Sequence, residues 1–236
     1  MRDAGPDIAT AATAWPVELM IWLSPGFPVG AFAYSHGLEY AATHLGVTNR
    51  DTLQAWITGL ARWGSLYTDL ILLAEAFRAT SAVELGRLVD CNDLALALQP
   101  SSERHLETVS QGTAFMTAVA ASWPVPELAE IARLFAGGVA YPVAVGAAAA
   151  SHAMALEATL LGYGTAFTTN LVSAAIRLSV IGHTDGQRVI AALIPILRRA
   201  ANDATAHTLD DLGTATFAAD LASLSHETQY TRLFRS

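Results

Sequence analysis

Apolar residues recur at intervals of three and four along almost the whole chain, and this spacing constrains the fold more than any other feature of the sequence. It places them on one face of an α-helix, whereas a half-buried strand would show strict alternation, which is missing over any useful length. Alanine, the strongest helix former, supplies much of the 53% hydrophobic content. The sequence therefore predicts an all-α protein of about ten helices, in one domain spanning residues 1–236 without an internal boundary.

Prolines, glycines and capping residues set the predicted helix boundaries in the first half of the chain. Pro16 favours a first helix to about Leu23, and the segment 24–32 holds two prolines and two glycines, which predicts a loop. Ser35 is the expected cap of a short helix that ends near Gly46. Asn49 or Thr48 caps the next helix, and further helices are predicted at about 66–79, 82–98, 102–122 and 126–136.

The second half is more apolar, and its boundaries are read in the same way. One helix is predicted from Pro142 to about 161 and another from about 165 to 180. The sequence GHTDG at 182–186 is typical of a connector, with Asp185 as a possible cap. The helix that follows, to about 201, contains Pro195, which predicts a kink or a break.

Charge excludes several functions. The net charge of −8 and the pI near 5.2 argue against binding of nucleic acid, which requires basic patches. All thirteen basic residues are arginine. A phosphate-binding P-loop and a Schiff-base site both require lysine, so this chain is expected to be neither a P-loop GTPase nor a pyridoxal enzyme.

The remaining composition points to a cytoplasmic protein that does not cross a membrane. Cys91 is the single cysteine, so no disulfide forms within the chain. Residues 1–14 contain acids and lack the apolar core of a secretory signal, and we expect them to be flexible. The segment 139–161 contains His152 and Glu157 and relies on alanine, which favours a buried helix over a membrane span.

No catalytic or metal-binding pattern emerges from the residues. His226 and Glu227 begin like a zinc-protease motif, but Tyr230 stands where the second histidine would fall. Two pairs of residues lie one helical turn apart and are interpreted as solvated or locally capping; they are His36 with Glu39 and Arg104 with Glu107. We therefore expect no enzyme activity and no cofactor.

Three segments stand out for a role in binding. The last eleven residues, 226–236, which we call the tail, concentrate aromatic and arginine side chains typical of interface hot spots. The tail could instead dock Tyr230 and Phe234 on its own core. The segments 24–40 and 182–186 are glycine-containing loops that composition alone would explain as rigid connectors.

These segments also carry a resemblance to a known family. LSPGFPVGAFAYSHGLEYA resembles the N-terminal signature of the UreF family of urease accessory proteins, RLSVIGHTDGQR its later helix–loop–helix segment, and HETQYTRLFRS its C-terminal signature. A weaker match involves Glu103, Arg104, Glu107 and the pair at 111–112. The chain departs from the family at Val180, where proline is common, and at His183, where glutamine is common.

The resemblance implies a homodimeric helical scaffold without enzyme activity. Proteins of this family bind a UreD/UreH-like accessory protein and recruit the GTPase UreG, and the assembly delivers nickel to apo-urease. They are thought to regulate the GTPase step and to help form a passage for nickel. The missing lysines agree with this division of labour, because the nucleotide chemistry then resides on another chain.

Carried over residue by residue, the resemblance implies partner contacts for the tail and the two loops. The positions concerned are His226, Glu227, Gln229, Tyr230, Arg232, Leu233, Phe234 and Arg235 in the tail, Pro28, Gly30, Ser35 and Glu39 in the first loop, and Gly182 and Asp185 in the second. His183 and His226 are weak candidates for transient nickel contact. We expect the tail to be mobile or loosely docked until the UreD/UreH-like partner orders it.

Two alternatives remain open at this stage. The first is an all-α enzyme acting on a small molecule, which would turn over its substrate as a purified protein. The second is a membrane-associated helical protein, which would partition into detergent.

Overall fold

The computed structural model describes residues 16–236, and that range contains eleven α-helices, two short 3-10 helices and no strand. The α-helices are α1 Val17–Trp22, α2 Leu38–His44, α3 Arg50–Trp63, α4 Ser65–Ser81, α5 Leu85–Ala97, α6 Ser102–Ser122, α7 Pro126–Leu134, α8 Tyr141–Ser151, α9 Leu156–Arg177, α10 His183–Ala204 and α11 Phe217–His226. The 3-10 helices are Ala31–Ala33 and Leu209–Asp211. The all-α prediction is confirmed, whereas the flexibility predicted for residues 1–14 lies outside the described residues.

Helices α4 and α8 form the centre of the fold and pack closely against each other. Both are buried on nearly every side, and alanine and glycine make up most of α8. A Cβ atom placed on Gly146 would lie 2.4 Å from the backbone oxygen of Leu73, so only glycine fits there. The alanine content of this half of the sequence therefore serves close helix packing as well as helix propensity.

The other helices surround this pair. Helix α6 packs on α8, α5 on α4, and α9 and α10 pack together with α3 alongside. Their buried apolar side chains form one contiguous cluster that also includes Trp22 of α1 and Phe234 of the tail. This continuity supports the predicted single domain, which stays a prediction.

One predicted boundary is wrong. The helix predicted from Pro142 to about 161 ends at Ser151. Helix α9 begins at Leu156 and continues through residues 161–165, where the sequence had predicted a gap between two helices. His152 fixes the end of α8, because its Nδ1 lies 2.8 Å from the Ala148 oxygen and its Nε2 lies 3.0 Å from the Trp123 oxygen. These contacts link residues that are distant in the sequence, so helical periodicity alone could not reveal them.

Three helices end in the same motif without the glycine that usually marks it. After α4, α8 and α9 the chain passes through left-handed backbone at Val83, Ala153 and Ser179, with φ of 59°, 52° and 60°. Each following N–H donates to the oxygen five residues earlier, as in a Schellman cap. The pairs are Glu84 to Ala79 at 2.9 Å, Met154 to Ala149 at 3.0 Å and Val180 to Ala175 at 2.9 Å.

Other boundaries differ in detail. Helix α2 begins after Gly37 and not at Ser35, and α10 begins after Gly182, which leaves Asp185 in the first turn instead of at the cap. Helix α10 continues through Pro195 without the predicted break. Asn49 caps α3 as predicted, since its side chain accepts from two backbone N–H groups. Among residues 16–236 no helix has both the length and the apolar character needed to cross a membrane.

Candidate functional site

The tail lies against the molecule's own core, and its predicted mobility in the free protein stays a prediction. His226 and Ser236 have 0% of their surface exposed and Phe234 has 4%. The density of charged and hydrogen-bonding groups beneath the tail explains this docking.

Glu39 of α2 is the main anchor. Its Oε1 accepts the N–H of Leu233 at 2.7 Å, and its Oε2 accepts the N–H of Phe234 at 2.9 Å. The same Oε2 lies 3.2 Å from Nε2 of His226, the last residue of α11. One buried carboxylate therefore holds both ends of the tail, and Glu39 is not the solvated residue that its spacing from His36 had suggested.

Glu103, in the first turn of α6, is the second anchor. Its Oε2 lies 2.6 Å from Nδ1 of His226, and its Oε1 pairs with the Arg232 guanidinium. Glu227 supports this arrangement by accepting the Ser102 N–H at 2.8 Å at the start of the same helix. Glu39, Glu103, His226 and Arg232 thus form one connected group, which we call the latch.

Backbone hydrogen bonds join the tail to the first loop. The N–H of Arg235 donates to the Ala33 oxygen at 2.8 Å, and the N–H of Ser35 donates to the Ser236 oxygen at 2.9 Å. The Ser236 hydroxyl donates to Glu107 at 2.6 Å. The structure therefore brings Ser35 and Glu39, two of the predicted loop positions, into the same site as the tail.

Arg177, at the end of α9, clamps the tail to the loop. Its guanidinium carbon lies 3.5 Å from the Phe32 ring centroid and 4.3 Å from that of Phe234, and it donates to the Phe32 oxygen. A guanidinium this close to two aromatic rings gains cation–π attraction from each of them. Three segments that are distant in the sequence therefore meet at one arginine.

A second charged group lies deeper and overturns the solvated interpretation of Arg104 and Glu107. Arg104 is paired with Glu107, and Nδ1 of His36 lies 2.8 Å from Oε1 of Glu107. Burial opposes ionisation of Glu107, but the Arg104 charge, together with the contacts of His36 and the Ser236 hydroxyl, outweighs burial and lowers the pKa of Glu107 to about 2. Burial, followed by the Arg104 charge, lowers the pKa of His36. His36 is not helical, since its φ is 55°.

This charged group forms part of the floor of a cavity of about 520 Å³ between α1, the first loop, α6 and α9. Asp69 of α4 also lies on the floor and accepts the Tyr163 hydroxyl at 2.8 Å. Burial raises the pKa of Asp69 to about 6, against the opposing charge of Arg104. Apolar side chains, including Met20 and Phe32, line much of the rest.

The remaining predicted positions lie elsewhere or face outward. Pro28 is exposed, and Gly30 has the positive φ, 74°, expected of a loop glycine. Gly182 and Asp185 begin α10, where Asp185 pairs with Arg188 at 2.9 Å; no hydrogen bond or ion pair within residues 16–236 joins them to the tail. The second loop is therefore separate from the tail site.

Neither histidine proposed for nickel contact belongs to a metal site here. His183 is exposed at the start of α10, whereas both ring nitrogens of His226 already face carboxylates in a buried position. In the part of the chain that the structure describes, no three His, Cys, Asp or Glu residues are grouped to hold a metal ion.

Sequence reasoning missed Arg177, Asp69 and the burial of Arg104. Arg177 opens the RLSVIGHTDGQR segment, and Asp69 interrupts an apolar helix, so both carried a signal. A charged residue inside an apolar helical run calls for a buried partner. The partners come from other helices, which spacing within one helix cannot show.

Comparisons with known proteins place the chain among urease accessory proteins. Residues 47–194 match the sequence profile of the UreF family. The chain is 52% identical over 220 residues to the urease accessory protein UreF of Methylobacterium radiotolerans, covering 93% of this chain and 96% of that protein. It is 50% identical over 227 residues to UreF of Azorhizobium caulinodans, covering 96% and 98%. Against UreF of Rhodopseudomonas palustris strain BisA53 it is 48% identical with both chains fully covered.

Proposed function

The chain belongs to the UreF family of urease accessory proteins, which act in urease maturation without catalysis of their own, and from this premise we propose that it is a cytoplasmic scaffold joining a UreD/UreH-like protein to a UreG-like GTPase. Through that assembly it regulates GTP-dependent delivery of nickel to apo-urease. The observation that carries the proposal is the docked tail, whose exposed aromatic, apolar and arginine side chains are suited to binding a protein partner.

The outer surface of the tail suits a protein partner. Tyr230 is fully exposed, Leu233 is 55% exposed, and Arg235 is also exposed. Tyrosine and arginine are enriched among the residues that contribute most to protein interfaces. The tail can therefore present these side chains without first leaving the core.

Helix α11 extends this surface. Phe217, Leu221 and Leu224 lie at i, i+4 and i+7 on one helix face and are 75%, 61% and 46% exposed. The opposite face, with Ala222 and Ser223, is buried. A contiguous apolar face beside an aromatic tail is typical of a binding site, and we assign it to the UreD/UreH-like protein.

GTP hydrolysis, nickel transfer and dimer formation are assigned to sites other than the tail. The absence of lysine supports placing the nucleotide chemistry on UreG. Nickel is cargo here, and we propose that the cavity floored by Asp69 and Glu107 forms part of its passage, since two carboxylates face one arginine there. A second set of exposed apolar side chains offers a surface for a homodimer: Met20 and Phe32, which line the cavity, and Val17 on the same helix as Met20.

Reconstitution tests this function. The purified chain is combined with candidate UreD/UreH, UreG and apo-urease, and complex formation and urease activity are measured with GTP and nickel. We expect a stable complex and activation that requires all three accessory proteins. A chain that activates urease equally well without UreD/UreH, or that forms no complex with it, would rule out the scaffold role.

A further inference from the structure

The cavity between α1, the first loop, α6 and α9 has the size and the lining of a small-molecule site. Its volume of about 520 Å³ falls within the range of pockets that hold small organic ligands. Its apolar lining includes Leu19, Leu23 and Val29, and charged side chains from α4 and α6 meet at its floor. A ligand with an apolar body and one polar group would match this lining.

Asp69 offers such a ligand an unused carboxylate oxygen. The residue is 7% exposed, and its Oδ2 accepts the Tyr163 hydroxyl at 2.8 Å. Among residues 16–236 no group donates to its Oδ1, and no arginine or histidine forms an ion pair with it. A buried carboxylate without a charged partner is costly, because it has lost its water and gained little in return. The free oxygen therefore favours a ligand that brings a hydrogen-bond donor.

The charges at the floor favour a cation. Arg104 pairs with Glu107 on the same helix, and burial lowers the pKa of His36, so this histidine is neutral near neutral pH. Burial raises the pKa of Asp69 to about 6, which leaves its carboxyl group mostly ionised under the same conditions. The other lining residues are uncharged. The floor therefore carries one negative charge that its single arginine does not balance.

The aromatic lining favours an organic ammonium over a resident metal ion. Tyr141 and Tyr163 both line the cavity with their ring centroids 5.4 Å apart, and Phe167 lines it as well. The faces of aromatic rings attract organic cations. A resident metal ion needs several ligands, and the part of the chain that the structure describes holds no cluster of three His, Cys, Asp or Glu side chains to supply them.

We propose that this cavity binds a small organic cation, a primary ammonium with an apolar body, which donates to the free oxygen of Asp69. The apolar body of the ligand lies against the apolar and aromatic lining. The proposal goes beyond the proposed function and does not depend on it. An ammonium group at Asp69 and a nickel ion in transit would compete for the same space, so binding is measured without nickel.

Ligands of similar shape and different charge test the preference for a cation. Calorimetry of the full-length chain near neutral pH compares phenethylamine, which is protonated, with the neutral phenethyl alcohol and the anionic phenylacetate. We expect the amine to bind at least about tenfold more tightly than the alcohol, because it makes a charge-assisted hydrogen bond in a buried site. Phenylacetate should bind more weakly than the alcohol, since Asp69 and Glu107 repel it.

Two results of this comparison would overturn the proposal. The first is an amine that does not bind, or that binds no more tightly than the alcohol. The second is phenylacetate that binds as tightly as the amine, because the floor would then not select a positive charge. Both results come from the wild-type protein, so they decide the charge preference without any variant.

A substitution then assigns the binding to Asp69. Asp69→Asn keeps the shape of the side chain and removes its charge, so the amine should bind about tenfold or more weakly while the alcohol binds as before. Glu130→Gln, on the exposed face of α7, is the matched control and should bind the amine like wild type. An Asp69→Asn variant with unchanged affinity for the amine would overturn the proposal, because the cation would then lie at another site.

Discussion

The α4–α8 contact and the tail site stabilise the same fold by different means. Between α4 and α8, small residues let two helices approach until only a glycine fits, at Gly146 beside Leu73. Under the tail, Glu39 and Glu103 hold the chain through charges and N–H groups contributed by distant segments. The first region depends on side-chain volume and the second on the pairing of charges and hydrogen-bonding groups.

This difference indicates which region can respond to a signal. A contact set by shape changes only when atoms are added or removed, because interiors are packed to near-crystalline density. A buried charged site changes when one proton or one partner charge arrives, because an unpaired buried charge is costly. Regulation by partners is therefore expected at the tail and not at the helix pair.

The largest predicted effect lies in the α4–α8 contact. Gly146→Ala places a Cβ atom 2.4 Å from the Leu73 backbone oxygen, which cannot rotate away. We expect a loss of about 4 kcal/mol in the free energy of unfolding, at the upper end for overpacking. Gly86→Ala on α5 is the matched control, since its Cβ meets no atom within 4 Å, and it should gain up to about 1 kcal/mol. If Gly146→Ala and wild type had equal unfolding free energies in urea, the packing account would be refuted.

The buried Arg104–Glu107 pair gives the next effect. Glu107→Gln leaves the Arg104 charge without its partner, and we expect a loss of about 3 kcal/mol at pH 7. The pKa of Glu107 is lowered to about 2 in the folded protein, so its contribution is present above its unfolded value and is lost as pH falls from about 4.5 to about 2. The difference in unfolding free energy between Glu107→Gln and wild type should therefore become smaller as the pH falls from about 4.5 to about 2. Glu130→Gln on the exposed face of α7 should change neither stability nor its pH profile.

The contribution of Asp69 to stability should depend on pH in the opposite direction to that of Glu107. Burial raises its pKa to about 6, so its ionisation destabilises the fold as the pH rises through about 4 to 6. Asp69→Asn keeps an acceptor for Tyr163, and we expect a gain of about 2 kcal/mol at pH 8 that disappears below about pH 4. If the cavity is part of the nickel passage, the same variant activates urease less while its complex still assembles. Lower stability at pH 8 would contradict the assigned burial.

The sequence predicted the helices better than it predicted the contacts of the tail site. Helix periodicity located α3, α4 and α6 well, since each carries its own apolar face and α3 has a side-chain cap at Asn49. The end of α8 and the start of α9 were misplaced, because Ala153, just after α8, adopts the left-handed conformation that normally signals itself with glycine.

The site was predicted in part. The tail and Glu39 were identified through resemblance, and Tyr230 is exposed, while its contact with a partner stays a prediction. That the tail is docked, and that Arg177 holds Phe234, depends on contacts between segments far apart in sequence. Such contacts leave no periodic trace in one sequence.

The central claim is that a docked tail presents its outer side chains to the UreD/UreH-like partner. A substitution of Tyr230 tests it most directly and should change the stability of the protein least. Tyr230→Ala removes a fully exposed ring, and Trp63→Ala, on the exposed end of α3, is the control. The measurement is the affinity of each folded variant for the partner. We predict that Tyr230→Ala unfolds within about 0.5 kcal/mol of wild type but binds at least about tenfold more weakly, while Trp63→Ala binds normally. A folded Tyr230→Ala variant that binds as tightly as wild type would contradict the account.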